Sequence, residues 1–395
     1  MRIPNYTDQR AGHALCARRP LFGMPGALAY SLAFALALIP ALAYADYALN
    51  FPAPASGQAQ DIYDLHILIL WICFAIFVIV FIPMFVALIC HRKSLGREAA
   101  KFHDNLKVEI IWTIIPTLIL IGMAWPATKL VMSMKDTSKE DLTIKVTGRQ
   151  WKWEYEYLGD DIRFTSNTST PTEQIDGAQA KGENYLLEVD RPLVVPAGKK
   201  VRLVLTASDV IHSWWVPALG VKQDAIPGFI RDTWFSVDKP GIYRGQCTEL
   251  CGVGHGFMPV VVEAVAPEQF ASWKQEQKNL LASAAAASGE TYTMDELKAM
   301  GAKVYTANCM ACHQPNGAGI PGAFPALNGS KIVKGDKSAH IERVFNGKPG
   351  TAMAAFGKQL SDLDIAAVIT YERNNWSNVM GDVVQPTEIA ALHKK

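Results

Sequence analysis

The sequence lacks any imbalance of charge: 38 Lys and Arg stand against 37 Asp and Glu, for a net charge of +1. With no basic excess, nothing in the composition points to nucleic acid as a partner. Histidine is scarce, nine residues scattered along the chain, which argues against a histidine-rich metal cluster. Charge is also nearly absent from two long runs. Leu65–Cys90 holds only His66 near its edge, and Val108–Thr128 holds only Glu109.

What is present is apolar residues, half of the chain by count, with most of the excess placed before Lys129. A length of 395 residues suggests two or three domains. The split between an apolar start and an ordinary soluble remainder predicts a membrane-tethered protein. Arg10, Arg18 and Arg19 precede an apolar run from Ala27 to Leu42, which ends Ala43-Tyr44-Ala45 before Asp46. That order reads as a secretory signal peptide over residues 1–45. The runs at about 65–90 and 108–128 each suffice to cross a hydrocarbon core of ~30 Å as a helix, giving a transmembrane hairpin within 46–129. Pro83, Pro116 and Pro126 are tolerable there because neighbouring helices re-satisfy the freed carbonyls. The loop between the runs carries Arg92, Lys93, Arg97, Lys101 and Lys107 against Glu98 and Asp104. Positive loops stay on the cytoplasmic side, so both mature termini and the soluble part are expected on the outer face, the periplasm of a bacterium.

From about 130 to 266 the pattern becomes period-two. Leu142–Thr147, Trp151–Tyr157, Lys200–Leu205 and Pro259–Glu263 read as strands of a β-sandwich. Two pieces of this region carry chemistry: Ile211-His212-Ser-Trp-Trp215 and Gln246-Cys247-Thr-Glu249-Leu-Cys251-Gly-Val-Gly-His255-Gly-Phe-Met258. Thiolates, imidazoles and a thioether suit copper better than magnesium, calcium or manganese. A single blue copper needs only one cysteine, so this set has one too many. Two cysteines on one loop can instead bridge a pair of ions, each taking one histidine, with Met258 and the Glu249 carbonyl as weak outer ligands. Zinc held by His212, Cys247, Cys251 and His255, or a Cys247–Cys251 disulfide, is also compatible with the residues alone.

Beyond 266 a polar helix opened by Pro267 leads into an Ala/Ser/Gly stretch, Ala282–Gly289, which reads as a linker within 267–291. Thr293-Met-Asp-Glu296 is a capping box that starts a helix running into Cys309-Met-Ala-Cys312-His313. Cys-x-x-Cys-His is the attachment signature of a c-type haem, with His313 as proximal iron ligand. A downstream Met would supply the distal ligand. Met353, in Gly350-Thr-Ala-Met-Ala-Ala-Phe356, is preferred over Met380, which lies past the last helix. That helix starts at Ser361 and carries Ile365, Val368, Ile369 and Tyr371 at helical spacing. His340 reads as a surface residue. This domain is placed at 292–378, followed by a tail at 379–395.

The stretches from His212 to Gly228 and from Tyr243 to Pro259, with both apolar runs, resemble subunit II of the haem-copper cytochrome c oxidases over about Asp61–Glu263. The C-terminal part resembles class I cytochromes c. The resemblance implies a multidomain fold: a two-helix transmembrane hairpin, an all-β cupredoxin-like sandwich, then an all-α cytochrome c domain. It implies a dinuclear copper centre (CuA) bridged by Cys247 and Cys251 and completed by His212, His255, Met258 and the Glu249 carbonyl. The Glu249 carboxylate would reach a magnesium ion shared with subunit I. Trp151 matches the family's surface tryptophan where electrons enter, and Glu109 matches its glutamate at the mouth of a proton path.

Neither soluble motif has an acid–base pair or an activated nucleophile beside it, so both read as one-electron carriers. The expected function is a relay from haem c (Cys309, Cys312, His313, Met353) to CuA. Subunit I would then reduce oxygen to water and pump protons. Subunit III, a cytochrome c or other periplasmic donor, and a bacterial inner membrane complete the expected setting. A nitrous oxide reductase would need a histidine-rich cluster, and a quinol oxidase subunit II would lack the copper ligands. A tethered free electron carrier or copper-handling protein would not need two membrane helices with an acid at Glu109.

Overall fold

The protein is described by a computed structural model over residues 50–96 and 103–394. The expected signal peptide and part of the basic loop lie outside those residues. The chain divides into two compact units, one including Leu65–Ala124 and the other formed by Phe51–Asp64 with Trp125–Lys395.

Two long helices come first, α1 (Gly57–Cys90) and α2 (Leu106–Lys135). Both are apolar on every side, with Trp71, Phe74, Ile79, Leu88, Trp112 and Leu120 exposed. That distribution suits lipid rather than water. α1 starts earlier and α2 ends later than the apolar runs alone suggest, each adding polar turns. At α1, Ser56 Oγ accepts from the Ala59 amide at 3.0 Å and donates to the Leu219 carbonyl at 2.9 Å. This ties the first turn of α1 to the β domain. Gly220 is required at that contact, since it has φ +68° and a Cβ on it would lie 2.8 Å from Ala59 Cα. Near the end of α2, the Ser133 carbonyl accepts from Trp234 Nε1 at 3.2 Å.

The β domain is built from β1 (Leu142–Arg149), β2 (Lys152–Tyr157), β3 (Ile162–Ser166), β4 (Leu193–Pro196), β5 (Lys200–Ala207), β6 (His212–Val216), β7 (Val221–Ala225), β8 (Arg231–Ser236), β9 (Gly241–Cys247) and β10 (Pro259–Val265). They form two five-stranded sheets, ordered β3-β2-β1-β5-β8 and β4-β10-β9-β6-β7. Alternation decides which side is buried: along β5, Val201, Leu203, Leu205 and Ala207 point inward while the residues between them stay partly exposed. Ile144, Val146, Trp153, Trp214, Phe235 and Val262 join them in one core. Polar ties cross that core: Trp214 Nε1 donates to Tyr155 Oη at 3.2 Å, and Tyr157 Oη donates to the Val194 carbonyl at 2.7 Å.

Helix α3 (Pro267–Ala287) follows, with Pro267 in its first turn and the Gln269 side chain accepting from the Ala266 amide. Ala282–Ala287, read as linker from composition, continues this helix, as an alanine run favours. Its inner face is aromatic: Phe270 and Trp273 pack on Tyr157, and Trp273 reaches Phe164. Lys274 and Lys278 both bond Asp160, at 2.8 and 3.2 Å.

The last domain holds α4 (Met294–Asn308), α5 (Lys337–Asn346) and α6 (Asp362–Arg373). Thr293 with Glu296, and Ser361 with Asp364, cap α4 and α6 where the sequence places them. Residues 379–395, expected as a tail, instead contribute Val384 and Ile389 to the core of this domain. Gly301 lets α4 and α6 touch, for a Cβ there would sit 2.1 Å from the Ala367 carbonyl oxygen. Gly301→Ala is therefore expected to cost about 1–3 kcal/mol through overpacking. Faster hydrogen exchange over α4 and α6 is the expected result; unchanged protection would show that the crossing can yield.

Candidate metal centre and adjoining cavity

The expected copper ligands converge. One ligand atom each from His212, Cys247 and Cys251 lies within 4.8 Å of the others, and all three residues are buried. His212 opens β6 and Cys247 closes β9, which pair in one sheet. The loop after β9 then returns Cys251 and His255 to the same place. The two sulfurs stand 3.9 Å apart, and both cysteines are free. A disulfide would need about 2.05 Å, so that alternative is not realised. His255 Nδ1 lies 3.6 Å from Cys251 Sγ, and His212 Nδ1 lies 4.0 Å from Cys247 Sγ. The Glu249 carbonyl faces Cys247 Sγ at 3.4 Å. Met258 is buried in the same core cluster, and its carbonyl accepts from the Cys247 amide at 2.9 Å.

The set is electrostatically prepared for a cation. The hydrogen bond with Cys251, helped by His212, outweighs burial and brings the Cys247 thiol down to about 3. That same interaction, with burial, pushes Cys251 up: one thiol gives up its proton readily and the second resists while its neighbour is an anion. A bound metal cation removes that resistance. Two soft sulfurs, two imidazole nitrogens and a carbonyl oxygen fit copper.

One residue of this centre escaped the motif. Asp209 Oδ1 lies 2.9 Å from His212 Nε2, and Asp209 Oδ2 accepts from the Gln150 amide at 2.7 Å. Burial would raise its carboxyl, but the hydrogen bonds from His212 and from the Gln150 and Val210 amides hold it below the ordinary range. For His212, burial pulls the ring down, and Asp209 with Cys247 more than reverses it. Asp209 thus keeps the proton on Nε2 and turns Nδ1 toward the sulfurs. The available signal was an acid three residues before a ligand histidine. Gly148 contributes by absence of a side chain, since a Cβ there would lie 2.8 Å from the His212 ring.

On the other side of the β1–β2 turn is a cavity of about 520 Å³. Cys309, Cys312, His313 and Met353 line it, and Met380 is not among its lining residues. His313 Nδ1 sits 2.9 Å from the Pro325 carbonyl, which fixes the tautomer and leaves Nε2 free. Burial keeps both the Cys309 and Cys312 thiols protonated at neutral pH. His340, expected at the surface, is buried in the cavity wall, paired to Glu372 at 3.0 Å with its Nδ1 unpartnered. Two thiols, a free imidazole nitrogen and a thioether around a mostly apolar space fit a c-type haem.

The β domain closes this cavity with Arg149, Gln150, Lys152 and Asp209. Trp151 does not lie on the surface as expected: it is 8% exposed, and Phe324 of the helical domain stands edge-on to its ring at 6.2 Å. Gly254 lets the ligand loop close on the other face, where a Cβ would lie 2.2 Å from the indole. Both Trp151 Nε1 and Gln150 Nε2 donate to the Cys251 carbonyl, at 3.1 and 2.8 Å. Cys312 and Phe324 pack against the core cluster that contains Trp151 and Cys251. Glu109 stands in the first turn of α2, where its carboxylate accepts weakly from the Asn105 amide at 3.4 Å. This is a helix-capping contact.

The class defined here is a membrane-anchored cupredoxin redox subunit with a cytochrome-like domain attached. Comparison with known proteins makes it particular. Residues 45–130 match the transmembrane domain of cytochrome c oxidase subunit II and residues 142–265 its periplasmic domain. Residues 296–371 match subunit III of the cbb3-type cytochrome c oxidase. The chain is 42% identical over 229 residues to a probable cytochrome c oxidase subunit 2 of Rickettsia prowazekii, covering 57% of this chain and 71% of the relative. It is 36% identical over 242 residues to cytochrome c oxidase subunit 2 of Cereibacter sphaeroides, covering 58% and 80%. A crystal structure of the periplasmic domain of subunit II of cytochrome oxidase from Bradyrhizobium japonicum is 43% identical, covers 36% of this chain and 97% of its own, and aligns with a TM-score of 0.33. The chain belongs to the cytochrome c oxidase subunit II family and carries a cytochrome c-type domain.

Because Asp209 orients His212, Asp209→Asn is expected to weaken copper binding by about 10–100-fold. Competition against a chelator of known affinity measures it; an unchanged affinity would reduce Asp209 to a packing role.

Proposed function

We propose that this chain takes up electrons through a covalently attached haem c and a dinuclear CuA centre and delivers them to subunit I, where oxygen is reduced to water with proton pumping. The observation that carries the reading is the gathering of His212, Cys247 and Cys251 ligand atoms directly across the Gln150–Trp151 turn from the cavity of Cys312 and His313. When bound, copper and haem each supply a one-electron couple, and the residues around them hold, orient and insulate those groups.

In this reading Cys247, Cys251, His212, His255, Met258 and the Glu249 carbonyl would hold the copper. The Glu249 side chain, half-buried beside the loop, holds magnesium with subunit I. Cys309 and Cys312 would carry the haem through thioethers, and His313 and Met353 would supply ligands to its iron. With Trp151 covered by Phe324, its place is between the two centres rather than under an incoming soluble donor. Glu109 opens a proton path into subunit I. The two apolar helices lie in a bacterial inner membrane, with the β domain (130–266) and the helical domain (from 292) on the periplasmic face. Subunit III is a further partner, and a cytochrome c or other periplasmic protein is the donor.

Copper and haem analysis of the detergent-purified full chain tests this directly. Two coppers and one haem that survives denaturation are expected per chain, both reducible. One copper, or zinc in its place, would overturn the dinuclear centre. Haem lost on denaturation would overturn covalent attachment.

A further inference from the structure

We propose that Lys152 links docking of the helical domain on the β domain to the oxidation state of the haem, so that the reduced domain is held more tightly than the oxidised one. This rests on the haem reading above.

Lys152 belongs to β2, yet its side chain leaves its own domain. It is 7% exposed and lines the cavity beside Cys309, Cys312 and His313. Its Nζ donates to Asn308 Oδ1 at 3.2 Å and lies 5.0 Å from the centre of the Phe356 ring. Both partners belong to the helical domain, and neither carries charge. Among the described residues no carboxylate lies within ion-pair distance of Lys152. Burial lowers its pKa to about 8, while the Asn308 oxygen and the Phe356 ring face favour the ammonium form.

The other charges lining the cavity are already accounted for. Arg149 is paired with Glu154, Asp209 with His212, and Glu372 with His340. Arg343 and Lys348 belong to the helical domain and travel with it. Lys152 is thus the cavity-lining charge of the β domain that has no ion-pair partner among the described residues.

A haem held by a histidine and a methionine gains one positive charge on oxidation. Two unit charges roughly 12 Å apart in an effective dielectric of about 20 shift an equilibrium by about tenfold, and a cavity of this size places Lys152 within that range. The ammonium therefore favours the reduced haem. Coupling is reciprocal, so by the same factor the reduced haem favours the docked arrangement. With the haem oxidised, the contact would loosen and the cavity side of the helical domain would open to the next donor.

The test uses the full chain with copper and haem in place. An optical redox titration is expected to give Lys152→Met a haem potential lower by about tenfold in the reduction equilibrium, about 59 mV for one electron. Lys152→Arg, which keeps the charge, should stay near the wild type. An unchanged potential in Lys152→Met, or an equal fall in both variants, overturns the proposal. A second measurement needs no variant: hydrogen exchange over 149–153 and 323–327 in the wild type is expected to be faster with oxidised haem than with reduced. Equal exchange in the two states overturns the link. A wild-type chain without a covalent haem would overturn the haem reading and this inference with it, whereas a haem-bearing chain that fails either measurement overturns the inference alone.

Discussion

The centre of this molecule depends on one backbone carbonyl. Cys251 O accepts from Gln150 Nε2 and from Trp151 Nε1, and so pins the ligand loop to the β1–β2 turn. A buried indole N–H and a buried carbonyl are each costly to leave unpaired. Pairing them here fixes a sulfur ligand and the aromatic wall beside it in one step. The turn also passes its Gln150 amide to Asp209, which orients His212. Ligands from two sheet strands and one loop are therefore held by contacts that meet at a single turn. The helical domain packs on the outer face of that turn through Phe324.

The local chemistry was legible from the sequence because it is local. Cys247, Cys251, His255 and Met258 share one loop, and their types and spacing mark it as a soft metal site. Cys309-Met-Ala-Cys312-His313 marks the second centre as a haem attachment site. The helix caps at Thr293 and Ser361 were legible for the same reason, a side chain reaching three residues along. What escaped depends on residues far apart. Trp151 reads as a surface aromatic until Phe324, in another domain, covers it. His340 reads as a surface residue because its partner, Glu372, lies on a different helix. Asp209 is an ordinary loop acid until its distance to His212 is known.

Composition misled at the junction between the domains. An Ala/Ser/Gly stretch resembles a flexible linker, but alanine carries the highest helix propensity. With Phe270 and Trp273 anchoring the start of α3 on Tyr157 and Phe164, the helix has a fixed origin and continues through the alanines. Packing of the first turns decided the state of the last ones. The C-terminal residues show the converse: Val384 and Ile389 are too few and too widely spaced to announce a core, yet both are fully buried.

That fixed helix sets the concentration at which the two redox domains meet. Between the end of α3 and the start of α4 only Ser288–Thr293 remains free of helix, a stretch that reaches at most ~21 Å when extended. A helical domain released from the turn would stay within that radius of α3's end. For short tethers the effective local concentration is on the order of millimolar. An interface that would be too weak to form between separate proteins is then occupied most of the time, and it can still open quickly. The two domains need not bind each other tightly to work as a pair.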